Sequence, residues 1–251
     1  MSTKVKIFGC AWSPRHGNTE IQVQEALKAA EELPGVETSY YSIVGKNMAP
    51  CDACYRCFKN PSWEKPCPAY DDPNDAFDDV VKLMLEADGI IFGCPVYFMS
   101  VTAQLKAFMD RSMGVEALGY PFRNKVAGFV TIAFDRHGGH EHTIRDMLNW
   151  AMMHDMLTVG VGPERPPKGI GGYIGAMALQ GFPYPISSGA PDGPKAIRND
   201  DVGMFATRNL GKRVAEMAKI VKVGFASVGE GETFWPKEQI KLGLLDSWKK
   251  E

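Results

Sequence analysis

The chain has 251 residues, enough for one large domain, with 45% hydrophobic and 23% charged residues, the balance of an ordinary globular protein. A formal net charge of -2 gives no electrostatic case for nucleic acid or an anionic membrane surface. No apolar run is long enough to span a bilayer, and the first strand follows Lys4 directly, so a cytoplasmic location is expected.

The first element, a strand over 4–9, runs into Cys10-Ala11-Trp12-Ser13-Pro14-Arg15-His16-Gly17-Asn18-Thr19 and then an amphipathic helix striped by Val23, Ala26, Leu27 and Ala30. A strand feeding a hydroxyl-, Gly- and Asn-rich turn at a helix start suits a phosphate. Free N–H groups point out of the turn, and the helix dipole adds partial positive charge. Ser13, Asn18 and Thr19 offer hydrogen bonds to phosphate oxygens, and Arg15 offers a full charge. The loop lacks the Gly-Lys-Ser/Thr of a nucleoside-triphosphate site and the Gly-x-Gly-x-x-Gly of a dinucleotide fold. It therefore suits a mononucleotide such as FMN, a polar helix cap being the plainer alternative.

A second strand is expected over 37–43. It is followed by a Cys- and Pro-rich excursion over 44–72 that holds four of the six cysteines. They read Cys51-x2-Cys54-x2-Cys57-x9-Cys67. In a reducing compartment a tight cysteine group reads as a metal site rather than a disulfide framework. Three thiolates at two-residue gaps can wrap one face of an iron–sulfur cubane, with a fourth closing it. Zinc fits less well, since its four-cysteine knobs usually pair two separated C-x2-C hooks. A metal-free loop stays open.

A helix striped by Ala76, Val80, Leu83 and Met84 leads into a strand over 89–94 and the loop Pro95-Val96-Tyr97-Phe98-Met99-Ser100. Tyr97 and Phe98 offer flat faces on which a planar ring can stack, or they cap the core. The next helix carries Val101, Leu105, Phe108 and Met109. A fourth strand over 126–133 ends in Phe134-Asp135-Arg136-His137-Gly138-Gly139-His140-Glu141, whose Gly pair permits close backbone approach. His137, His140 and His142 have no Cys partner nearby and receive no catalytic role. Ile144, Met147, Leu148 and Ala151 stripe the following helix, and a fifth strand is expected over 157–161. Residues 162–199 are Gly- and Pro-rich with little periodicity, which suggests a functional or intersubunit segment. A last helix carries Leu210, Val214, Met217 and Val221. The arm over 223–251 follows the domain at 1–222.

Strand and helix alternate throughout, so a doubly wound five-stranded parallel sheet of flavodoxin-like order 2-1-3-4-5 is expected. In that order all three ligand loops leave carboxyl ends of strands and share one rim.

At these residues the chain resembles the NADPH-dependent FMN reductase family. Ser13-Pro14-Arg15-x-Gly17-Asn18-Thr19 is similar to its phosphate loop. Pro95-Val96-Tyr97-Phe98-x-Ser100, continuing to Asp110-Arg111, is similar to its flavin-ring loop and the helix after it. The resemblance implies that Ser13, Arg15, Asn18 and Thr19 hold the FMN phosphate. Pro95, Val96, Tyr97, Phe98 and Ser100, with Phe134, Asp135, Gly138 and Gly139, would frame the ring. The cysteine spacing resembles the iron–sulfur flavoprotein branch, with Cys51, Cys54, Cys57 and Cys67 as ligands of a [4Fe–4S] cluster. The gap to Cys67 is longer than that branch usually shows. NAD(P)H or ferredoxin is the implied electron donor, a small molecule or protein the acceptor, and a homodimer or homotetramer the implied assembly. A plain FMN or quinone reductase, or an electron carrier without a substrate, are the alternatives.

Overall fold

The computed structural model describes residues 3–162, 172–180, 193–229 and 232. Most of the arm expected at 223–251, with Trp235 and Trp248, lies outside them, as do 163–171 and 181–192 of the Gly/Pro-rich stretch.

The elements follow in the order β1 (Val5–Ala11), α1 (Asn18–Glu31), β2 (Val36–Ser42), α2 (Arg56–Lys59), α3 (Phe77–Glu86), β3 (Gly89–Pro95), α4 (Ala103–Arg111) and α5 (Met113–Glu116). Then come β4 (Val126–Ala133), α6 (His140–Met153), β5 (Leu157–Thr158), β6 (Ala176–Leu179), a 3-10 helix (Gly193–Asn199) and α7 (Asp201–Ser227). The sheet is parallel, in the order β2-β1-β3-β4-β5, with β6 also paired to β4. β1, β3 and β4 are apolar and buried nearly end to end, because helices cover both faces of the sheet. On one face Phe8, Phe77, Phe92, Phe108, Phe129 and Met147 form the core; on the other, Ile7, Val23, Ile91, Val130, Leu210 and Val214 do. Among the described residues, no helix is long and apolar enough to cross a membrane.

The fifth position departs from expectation. Only Leu157 and Thr158 pair there, with Val126 and Ala127. The outer half of β4 instead takes β6, in register Val130↔Ala176 to Ala133↔Leu179. Four apolar residues, Ala-Met-Ala-Leu, give no polar–apolar alternation in sequence, so this strand was hidden inside the stretch 162–199. Side chains hold it in place. Gln22 of α1, wholly buried, donates Nε2–H toward Thr131 O (3.3 Å), Ala176 O (3.4 Å) and Thr207 Oγ1 (3.2 Å). Asp200 caps α7 by accepting from Gly203 N and also accepts from Leu179 N at 2.7 Å. β6 is thus locked to α1 and α7, and it delivers Gln180 to the carboxyl edge of the sheet.

Candidate functional site

The three loops expected to hold a ligand come together at that edge, the third packing against the second. A narrow cleft is lined by Ser13, Arg15, Asn18 and Thr19 from the first loop and by Pro95 and Tyr97 from the second. His16, Ile132 and Gln180 complete it. Gln180 carried no sequence signal, because its approach depends on the unpredicted β6. His16 stood in view inside the loop but matched no phosphate-binding pattern.

The first loop is shaped by its own turn. Ser13 Oγ donates to Arg15 O (2.7 Å) and accepts from Arg15 N (3.3 Å). Gly17, at φ 143°, takes a backbone conformation that side chains resist, and α1 starts on it. Its N–H donates to Glu20 Oε2 at 3.2 Å, half of a capping box. Glu20 also accepts from Ser42 Oγ (2.7 Å) and meets His16 Nδ1 (3.1 Å). Burial works against its charge, but the bonds from Ser42, His16 and Gly17 outweigh it and lower its pKa. Asn18 Oδ1 accepts from Ile197 N (3.0 Å), which ties the 3-10 helix to the loop. Only the donor end of that amide suits a phosphate. Ser13, Asn18 and Thr19 are buried, whereas Arg15 is exposed.

The second loop is a tight reversal. Tyr97 and Ser100 exchange backbone hydrogen bonds, 2.9 and 3.0 Å, across Phe98 and Met99. Both apex residues have positive φ, 46° and 67°, costly for side-chain-bearing residues. Val96 N–H is taken by Ile132 O (2.9 Å). At the apex of the turn, the N–H groups of Phe98 and Met99 make no backbone hydrogen bond among the described residues. Ser100 Oγ donates to Asp146 Oδ2 of α6 at 2.5 Å. Phe98 is fully exposed, with Tyr97, Met99 and Phe134 exposed beside it. The third loop packs under this turn: a Cβ on Gly139, whose φ is 104°, would fall 2.7 Å from Met99 Cα and 3.1 Å from Val96 Cγ1. Only glycine lets the two loops approach so closely. Gly138 N–H donates to Asp135 O at 3.2 Å, closing the third loop's own turn. His140 is buried and donates Nε2–H to Ala178 O (2.9 Å), a structural role.

The cysteine loop stands on the same side. Phe108 of α4 packs on Trp12, ring centroids 4.8 Å apart, and Trp12 immediately precedes Ser13. One turn along α4, Arg111 donates Nε–H to Cys67 Sγ at 3.3 Å. Cys57 and Cys67 are buried, Cys51 and Cys54 partly exposed. Ala53 and Tyr55, at φ 53° and 55°, turn the chain after Cys51 and Cys54. Arg56 joins the segment to Cys67's side of the loop, donating Nε–H to Cys54 Sγ (3.2 Å) and NH2 to Ala69 O (3.2 Å). Tyr70 OH donates to Pro50 O.

No three Cys, His, Asp or Glu side chains stand in ready-made metal geometry among the described residues. The donor set nevertheless fits an iron–sulfur group. Burial pushes the Cys57 thiol up, and the neighbouring Cys67 and Cys54 add to it, so ionised sulfurs here repel one another until something cationic joins them. Two guanidiniums already point N–H groups at two of the sulfurs, as clusters favour. The phosphate loop likewise fits an anion, by its turn, helix start and Arg15.

A family model described as NADPH-dependent FMN reductase matches residues 5–162. The chain is 40% identical over 219 residues to an iron–sulfur flavoprotein of Methanocaldococcus jannaschii, covering 87% of this chain and 100% of that protein. It is 32% identical over 212 residues to an iron–sulfur flavoprotein of Archaeoglobus fulgidus, covering 84% and 96%. Among solved structures it is similar to an NAD(P)H:quinone oxidoreductase from Methanothermobacter marburgensis (TM-score 0.54, 14% identity, 84% of this chain and 96% of that one). It is also similar to a WrbA-like flavodoxin from Agrobacterium tumefaciens (TM-score 0.53, 20% identity, 86% and 99%). At such identities the two structures speak for the fold alone.

Proposed function

Because the chain belongs to the NADPH-dependent FMN reductase family, in its iron–sulfur flavoprotein branch, and is thereby an FMN-dependent oxidoreductase, we propose that FMN and a [4Fe–4S] cluster exchange electrons on it. The observation that carries this reading is the cleft where Ser13, Arg15, Asn18 and Thr19 meet Pro95 and Tyr97, with the cysteine loop docked beside it through α4. Ser13, Asn18, Thr19 and the start of α1 bind the phosphate, and Arg15 supplies the neutralising charge. Pro95, Val96 and Ser100 set the reversal that presents Tyr97 and Phe98 as stacking faces. Phe134, Asp135, Gly138 and Gly139 close the other side of the ring. Cys51, Cys54, Cys57 and Cys67 hold the cluster. When bound, FMN supplies one- and two-electron chemistry and the cluster single-electron chemistry; the protein's part is binding, burial and N–H contacts. No side chain is singled out as a general acid or base.

The family's description supports a nicotinamide donor, and a quinone is the first acceptor to try. Ferredoxin as donor, and a protein or another small oxidant as acceptor, are the competing outcomes. Assembly as a homodimer or homotetramer belongs to the same reading, supported by the exposed Phe98, Met99 and Phe134 at the rim, and light scattering tests it.

The decisive experiment is the visible spectrum and iron content of protein purified without oxygen. Flavin peaks over broad absorption near about 400 nm, with roughly four irons per chain, are expected. Flavin without iron would leave a plain reductase, and a colourless protein that refuses added FMN would end the whole account. Flavin reduced quickly by ferredoxin, without turnover on NAD(P)H and any acceptor, would make it a carrier.

A further inference from the structure

Arg111 is the most deeply buried guanidinium described, 3% exposed, at the end of a helix whose sequence points to the flavin. Its surroundings belong instead to the cysteine loop. Nη1 pairs with Asp75 Oδ2 at 2.6 Å and donates toward Ala49 O at 3.4 Å and Met48 Sδ at 3.7 Å. Nε donates to Cys67 Sγ at 3.3 Å. The guanidinium carbon lies 4.4 Å from the Phe77 ring centre and 4.9 Å from that of Tyr70. Asp78 of α3 faces the same charge from further off.

Keeping a guanidinium out of water is costly unless its charge is paired and its donors are used. One carboxylate would neutralise it, but Asp75 does not account for the Nε–H aimed at a sulfur. That sulfur belongs to the cysteine separated from the other three by the long gap 58–66. Arg56, the other guanidinium at the loop, is about half exposed and its charge is screened; that of Arg111 is not.

We infer that Arg111 is a positioning residue for the cysteine site: its Nε–H fixes Cys67 as the closing ligand, and its buried charge raises the redox potential of the iron–sulfur group held there. This rests on the cluster reading above. A four-thiolate cubane gains one negative charge on reduction, so the N–H···S bond and the Nε end of a guanidinium held out of water both favour the reduced form, while Asp75 offsets part of the charge at Nη1.

The test uses the full chain, purified anaerobically, as wild type and as Arg111→Gln, Arg111→Lys and Asp75→Asn. Iron per chain, iron release to a chelator and the cluster's midpoint potential are measured, with bound FMN and near-ultraviolet circular dichroism as controls for folding. Arg111→Gln is expected to lower the potential and to release iron about tenfold faster or more. Asp75→Asn, which leaves the guanidinium uncompensated, is expected to raise the potential. Arg111→Lys keeps the charge but loses the fixed fork, so iron becomes labile while the potential moves little. Should the two charge variants fail to fold, the lysine variant's iron release decides alone. Wild-type iron and potential in every folded variant would overturn the inference and leave the cluster reading standing. Wild type without iron would remove both.

Discussion

The phosphate loop and the cysteine loop lie side by side but are built in opposite ways. The first spans a few residues between β1 and α1, both buried and regular, so its shape follows from how α1 sits on the sheet. The second strings residues 43–76 between β2 and α3 with only the short α2 inside, and side-chain tethers from Arg56, Arg111 and Tyr70 give it form. Damage to the sheet should therefore reach the flavin site first. Damage to the tethers should reach the cysteine site while the fold stands.

The sharpest way to break that contrast is Gly93→Val. The added Cβ would fall 2.3 Å from Val23 Cγ2 and 3.3 Å from Thr19 Cγ2, wedging α1 off β3. A stability loss of about 3 kcal/mol, with loss of FMN binding, is expected from denaturant and flavin titrations. Unchanged flavin affinity would show that the loop does not depend on the seat of α1.

Behind α4, which touches both loops, His154 offers a probe by pH. Ser112 Oγ donates to Met109 O and accepts from Trp150 Nε1–H, so the 2.8 Å contact to His154 Nε2 requires that nitrogen to be the donor. Nδ1 is then bare, buried without a hydrogen-bond partner among the described residues. Desolvation lowers the pKa from 6.5 to about 4. The unfolded chain thus binds a proton between these values that the folded chain refuses. This contribution is intact above pH 6.5 and is lost as pH falls toward 4, about 3 kcal/mol in all. Urea titrations at pH 7 and pH 4.5 check it, and His154→Gln should flatten the difference.

Arg15→Ala should weaken FMN binding about tenfold or more, since a charge-assisted bond to phosphate is worth ~1.5–3 kcal/mol. Fluorescence titration at two salt concentrations reads this, and the wild-type salt dependence should shrink in the variant. Ser100→Ala removes the bond to Asp146 beneath the strained reversal, and about 1 kcal/mol of flavin affinity is expected to go with it. The smallest effect is expected in the cysteine loop of iron-free protein. There Cys51→Ala should change stability by less than about 0.5 kcal/mol, because the side chain is partly exposed. A large loss in that variant would mean the loop contributes to the fold after all.

Five strands, the helices between them and the rim were legible because continuous apolar runs and 3.6-residue stripes are local signals. So was the cysteine group, since its spacing is its signature. β6 was not, because four residues of Ala, Met and Leu announce no period, and its partners Gln22 and Asp200 are distant in sequence. Nor was the part of Arg111: its motif places it at the end of α4, where it stands, but only the folding of the loop after β2 back onto that helix brings the guanidinium to Cys67.

Periodicity, turn chemistry and thiol spacing, all carried by neighbours along the chain, were enough to establish the parallel sheet, the polar turn that starts α1 and the group of four sulfurs. Three-dimensional packing alone chose which strand completes the sheet beside β4, brought Gln180 to the cleft and set a buried cation on the last cysteine. Those outcomes depend on contacts between residues tens to well over a hundred positions apart, and such contacts leave no local pattern.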